Sequence, residues 1–225
     1  VLIEDKVGSI QHSNQLARYK ETLKTEGFDP EHIVPIYVQT FEQSSYEPVQ
    51  ADGYTRVSRM QLIDILRSYA SLPDANAIVR DFYERLQAID QRFESFKNCS
   101  PSEWGSDAYV WQGFFGALQD QSVGSRWAYV ANPSGGFQGY FWYEKDAPGC
   151  KTYLQLEEET LCFRIVVEEK ESRPMLRKQW HERIRDEAGA VGLEVTRPRR
   201  FGSGETMLVA VLEGDYRQVD ATTGL

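Results

Sequence analysis

The chain has 225 residues, 41% hydrophobic and 26% charged, an ordinary globular balance with room for one large or two small domains. A net charge of −9 and an isoelectric point near 5.0 exclude broad, nonspecific coating of nucleic acid, though not a local basic groove. No run approaches the roughly 20 apolar residues that span a bilayer, so no membrane partner is expected and the chain reads as cytoplasmic.

Residues 1–7 read as a buried strand, and residues 10–26 as a helix with Leu16, Tyr19 and Leu23 at helical spacing and Gly27 as its stop. The apolar run 33–38 suits a second strand, so strand, helix and strand predict a parallel crossover. Pro35 places that strand at an edge or makes Pro35 its first residue. Residues 39–57 are polar and irregular. Ser58 and Gln61 form a capping box for a helix carrying Leu62, Ile65, Leu66 and Tyr69. After Pro73 and Asp74, a long amphipathic helix to Lys97 sets Ile78, Phe82, Leu86, Ile89, Phe93 and Phe96 on one stripe. A linker at 98–107 divides the chain into domains 1–98 and 99–225.

Residues 108–120 predict an aromatic-rich helix. Runs at 126–131, 137–144, 151–157 and 160–168, separated by Pro/Gly turns, predict an antiparallel meander. A helix from Pro174 with Leu176, Trp180 and Ile184 inward, then strands near 193–197 and 206–212, complete the chain. The aromatic set from Trp127 to Tyr143 is expected to pack a core before it stacks on bases.

The chemistry concentrates at the start. Strand alternation puts Glu4 and Lys6 on one face, and i, i+4 spacing puts Gln15 and Tyr19 on one side of the following helix. A carboxylate, an ammonium, an amide and a phenol then converge at one strand-to-helix edge, suited to a divalent metal and a phosphate. The segments Ile3-Glu4-Asp5-Lys6 and Gln15-Leu16-Ala17-Arg18-Tyr19 resemble the PD-(D/E)xK nuclease superfamily. Its branch of bacterial defence and abortive-infection proteins reads "IENK", a spacer, then "QLxRY". The resemblance covers roughly residues 1–40 and implies a truncated restriction-endonuclease-like core, which with the strand pattern after residue 126 gives an α/β fold: that core followed by an α+β region with an antiparallel sheet. It implies Mg²⁺- or Mn²⁺-dependent hydrolysis of phosphodiester bonds, first of all in DNA, in phage defence. In that reading Glu4 is a metal ligand with the Asp5 carbonyl beside it, Lys6 is the catalytic lysine, and Gln15 and Tyr19 position it or contact phosphate.

With no initiator Met and a strand at the first residues, the chain is expected to be an N-terminally truncated fragment lacking the family's other metal carboxylate. Alone, it is expected to bind Mg²⁺ weakly, not to cut DNA, and to self-associate through an open sheet edge. The alternative is a non-catalytic module that binds nucleic acid or protein on a nuclease-like scaffold. Glu-x-Lys also arises by chance about once in such a chain, and a second copy, Glu168-Glu169-Lys170, reads as a solvated strand end. His12, His32 and His181 are isolated. Arg197, Arg199 and Arg200 read as a solvated hairpin loop. Cys99, Cys150 and Cys162 form no Cys-x-x-Cys pair and read as free thiols, although Cys150 and Cys162 could face each other across a hairpin.

Overall fold

Strand β1 (Leu2–Lys6) pairs in parallel with β2 (Pro35–Gln39), and β2 with β3 (Thr55–Ser58). The crossover between β1 and β2 carries helix α1 (Gln15–Thr25). The computed structural model describes residues 1–217 other than 9, 12, 73, 75 and 134, so His12 and Pro73 lie outside the described residues. It is an α/β protein with this three-stranded parallel sheet and a six-stranded antiparallel one. Pro35 opens the central strand, where its missing N–H costs the ladder least.

β1 alternates as expected, but with its faces reversed. Glu4 and Lys6 are its buried residues, while Val1, Ile3 and Val7 are exposed. The expected apolar strand is therefore a polar rib covered on one side. α1 begins later than the periodicity suggested because Ser13 and Asn14 take left-handed backbone, at φ 52° and 54°, which cannot continue a right-handed helix. It ends as Gly27 requires: Gly27 N–H donates to Lys24 O and Phe28 N–H to Leu23 O, both at 3.0 Å, with Gly27 at φ 94°. Beneath α1, Leu16, Tyr37, Val49 and Tyr54 form a buried cluster.

The segment read as irregular holds α2 (Glu47–Ala51) and β3, both too short to leave a periodic signature. Helix α3 (Arg59–Ala70) starts on the expected capping box of Ser58 and Gln61. Its inward residues are Arg59, Ile63 and Ala70; Ile65 and Tyr69 face solvent. Helix α4 (Ala77–Glu94) is capped by Asn76, whose side chain accepts from Ile78 N–H. Leu86 and Ile89 are buried, whereas Ile78 and Phe82, in the first two turns of the expected stripe, are exposed.

Two compact units divide the chain, Val1–Phe114 and Phe115–Leu225. The division falls within α5 (Ala108–Gln121), later than the 98/99 linker, because Trp104, Trp111 and Phe114 pack with one another and with Phe96. Gly113 permits this approach: a Cβ there would lie 1.9 Å from the Phe93 carbonyl oxygen. Gly113→Ala should cost about 1–3 kcal/mol through overpacking. Gly116→Ala, where a Cβ meets nothing within 4 Å, should stabilise the helix by about 0.5–1 kcal/mol. Urea denaturation of the two variants checks this contrast.

In the second unit β4 (Arg126–Val130), β5 (Phe137–Ala147), β6 (Cys150–Glu157) and β7 (Thr160–Val166) form the expected meander. β9 (Thr206–Leu212) pairs with β7, and β8 (Val195–Thr196) with β9. Helix α6 (Arg173–Ala190) places Leu176, Trp180 and Ile184 against Ile165, Val167, Met207 and Val209. Trp127 and Tyr140 are core residues, and Tyr140 packs against Phe115. The three thiols are free: Cys150 stands opposite Ala147 and Cys162 opposite Gln155, so the hairpin does not bring them together. Burial, then the nearby charge of Glu157, pushes the Cys162 thiol up to about 12. No helix among the described residues is long and apolar enough to cross a membrane.

Candidate active site at the carboxyl edge of the parallel sheet

Lys6, Gln39 and Ser58 are the last residues of β1, β2 and β3 and share one rung of the sheet; Glu4, Tyr37 and Arg56 share the rung two residues earlier, on the same face. In parallel sheets ligands gather at this carboxyl edge. The four side chains singled out in the sequence meet there. Lys6 Nζ lies 2.9 Å from Glu4 Oε1 and donates to Gln15 Oε1 at 2.9 Å. Gln15 Nε2 donates to Glu4 Oε1 at 3.0 Å and to Tyr19 Oη at 2.7 Å.

The network fixes its own chemistry. Gln15 turns its carbonyl to the ammonium and its two amide hydrogens to the carboxylate and the phenol; the flipped amide would set a donor against Lys6. Tyr19 Oη accepts from Gln15, so its proton remains available to another acceptor. Glu4 and Lys6 are about nine-tenths buried, and their mutual neutralisation is what makes burial of both tolerable. Tyr19 is partly exposed at the open end of this network. Asp5 points to the opposite, exposed face, as alternation requires.

A divalent cation is not fitted by these residues alone. Glu4 is the carboxylate of the network, and no group of three His, Cys, Asp or Glu side chains able to hold a metal occurs among the described residues. His32 is exposed 3.8 Å from Asp29. His181 Nδ1 bonds the Val209 carbonyl at 2.8 Å. The second Glu-x-Lys lies on an exposed turn, with Lys170 opening a short 3₁₀ segment.

Sequence reasoning missed Gln39 and Thr40. Both are at least nine-tenths buried, and Gln39 Oε1 and Thr40 Oγ1 have no hydrogen-bond partner among the described residues. Thr40 N–H donates to the Lys6 carbonyl at 3.2 Å, which brings the end of β2 beside the lysine. The available signal was a Gln-Thr pair closing an apolar run, the same polar ending that Glu4 and Lys6 give β1.

Behind the network, Tyr37 and Tyr54 are buried, and Tyr54 Oη donates to the Leu16 carbonyl at 3.0 Å. Burial first, with the charge of Glu4 adding to it, pushes both phenols up to about 12. Burial and Glu42 push Tyr46 up as well. A raised phenol keeps its proton in the folded state after the unfolded chain has lost it. Stability from these groups is therefore full below pH 10 and is lost as pH rises from 10 through about 12. In alkaline titrations of wild type against Tyr37→Phe and Tyr54→Phe, the phenolate absorbance that these two tyrosines contribute should appear together with loss of helical circular dichroism in that window; their ionisation in an intact fold would contradict the assignment.

Comparison of the chain with protein families, characterised proteins and solved structures yields no match.

Proposed function

We propose that the Glu4–Lys6–Gln15–Tyr19 network is the lysine-bearing part of a nuclease-type site that hydrolyses phosphodiester bonds, in DNA first of all, in a bacterial defence setting. The observation that supports it is the convergence of all four side chains through hydrogen bonds of 2.7–3.0 Å at the carboxyl edge of a parallel sheet. Lys6, held by Glu4 and Gln15, presents a fixed positive charge where negative charge builds on a phosphoryl group, and needs no reorganisation to do so. Tyr19 offers its proton to a phosphate oxygen. A Mg²⁺ or Mn²⁺ at Glu4 would need oxygen ligands beyond the described residues, and no step is assigned to it.

The second reading is a non-catalytic binding module. It is favoured by the single carboxylate at Glu4 and by Lys6 being already engaged on two sides. The two separate in one assay: linear and supercoiled DNA, and RNA, incubated with the complete gene product and Mg²⁺ or Mn²⁺. Metal-dependent cutting supports the nuclease; intact substrates of every kind assign the module.

A further inference from the structure

Between β8 and β9 the chain runs Arg197-Pro198-Arg199-Arg200-Phe201-Gly202-Ser203-Gly204-Glu205, three arginines against one glutamate in a chain of net charge −9. The sequence reads it as a solvated loop, but the structure anchors it. Phe201 is half-buried, with the Arg197 guanidinium 4.1 Å and the Arg177 guanidinium 4.2 Å from its ring centroid. His181, one turn beyond Arg177 on α6, meets the same ring edge-on at 5.8 Å. Arg177 Nη1 donates to the Phe201 carbonyl at 2.7 Å and also to that of Gly202. Its Nε is buried without a partner among the described residues. Arg197, Arg199 and Arg200 are exposed.

Cation–π contacts with one ring thus hold two guanidinium groups near each other and fix the loop that carries two more. Like charges gathered this closely repel, and a polyanion relieves the repulsion. Guanidinium forks match phosphate oxygens in pairs. From Arg197 to Arg200 the backbone reaches at most about 10 Å, the length of about three phosphates along one DNA strand.

We propose that the Arg197–Arg200 loop, braced by Arg177 through Phe201, is a docking surface for the phosphate backbone of duplex DNA. This deepens the DNA-directed reading above by giving the second unit a part in holding the substrate.

The test is fluorescence anisotropy of a labelled DNA duplex in EDTA, over about 50–200 mM salt, with wild type, Arg199→Glu/Arg200→Glu and Lys97→Ala. Both arginines are exposed, so the double variant should keep the wild-type circular dichroism and melting temperature. It should bind about tenfold or more weakly, with the slope of log affinity against log salt reduced by about two, while Lys97→Ala, at an exposed lysine outside both sites, binds as wild type does. An unchanged slope in the double variant, or no DNA binding by wild type at the lowest salt, overturns the proposal. So does capture of phosphatidylserine vesicles in place of DNA, which would assign the patch to membranes. Because EDTA removes cleavage from the measurement, a chain that binds through these arginines but never cuts would fail the nuclease reading and leave this one standing.

Discussion

Arg59→Ala should lower the stability of the first unit by about 3 kcal/mol, a drop in melting temperature on the order of 15 °C. Arg59 is 2% exposed at the start of α3. Its Nε donates to Asp90 Oδ1 at 3.0 Å and its Nη1 to the Thr40 carbonyl at 2.9 Å. The guanidinium also lies 4.7 Å from the Phe93 ring centroid. One side chain therefore ties the end of β2 to α4. Alanine would leave the Thr40 carbonyl and the Asp90 carboxylate without this donor, together with an unfilled volume. Breaking a buried pair typically costs about 3–5 kcal/mol, and the lower end applies because Asp90 is a quarter exposed. Arg59→Met separates the contributions: it restores volume without charge and should recover part of the loss. A loss below about 1 kcal/mol in Arg59→Ala would show that Asp90 rehydrates freely and that the pair holds little of the fold.

Under the proposed nuclease reading, Lys6→Ala should slow phosphodiester cleavage about 10²–10³-fold, with DNA affinity almost unchanged. The asymmetry follows from position. Lys6 is 7% exposed, and in the proposed nuclease it acts on charge that appears in the transition state, so its loss should fall on kcat and not on KM. Glu4→Gln and Gln15→Ala should cost comparable factors, because each frees the lysine from one of its two acceptors. Combined variants should cost little more than single ones, since the three groups work as a unit. Lys170→Ala, on its exposed turn, should cut at the wild-type rate. Equal losses at Lys6 and Lys170 would remove Lys6 from the chemistry.

Where the sequence was legible, a local rule and a tertiary outcome agreed. The capping box at Ser58, the glycine stop after α1, the meander and the inward stripe of α6 each rest on interactions a few residues long. The network is legible for the same reason: two-residue spacing on a strand and four-residue spacing on a helix place side chains before any packing is known. What escaped were features decided by neighbours. β3 is four residues long and becomes a strand through its pairing with β2. Ile65 and Tyr69 look inward by type, yet Arg59 takes the core position because Asp90 and the Thr40 carbonyl meet it there. Gln39 read as the first residue of an irregular segment; its importance depends on standing in register with Lys6, a relation between residues far apart in the chain.

The reversed polarity of β1 reaches beyond chemistry, to how the protein survives at high concentration. Among the described strands β1 is, with β3, an outer strand of its sheet, and its exposed face carries Ile3 and Val7, so it has the makings of a template for another chain's strand. Charges turned inward on such a strand are a known defence, because an incoming chain cannot repeat the buried ion pair without supplying an equal and opposite one. Glu4 and Lys6 therefore place an ion pair on the inward face of the edge strand, the arrangement that disfavours such pairing. A variant that exchanged both for apolar residues would have a β1 apolar at every position but Asp5, and clumping during expression would be the first sign of it.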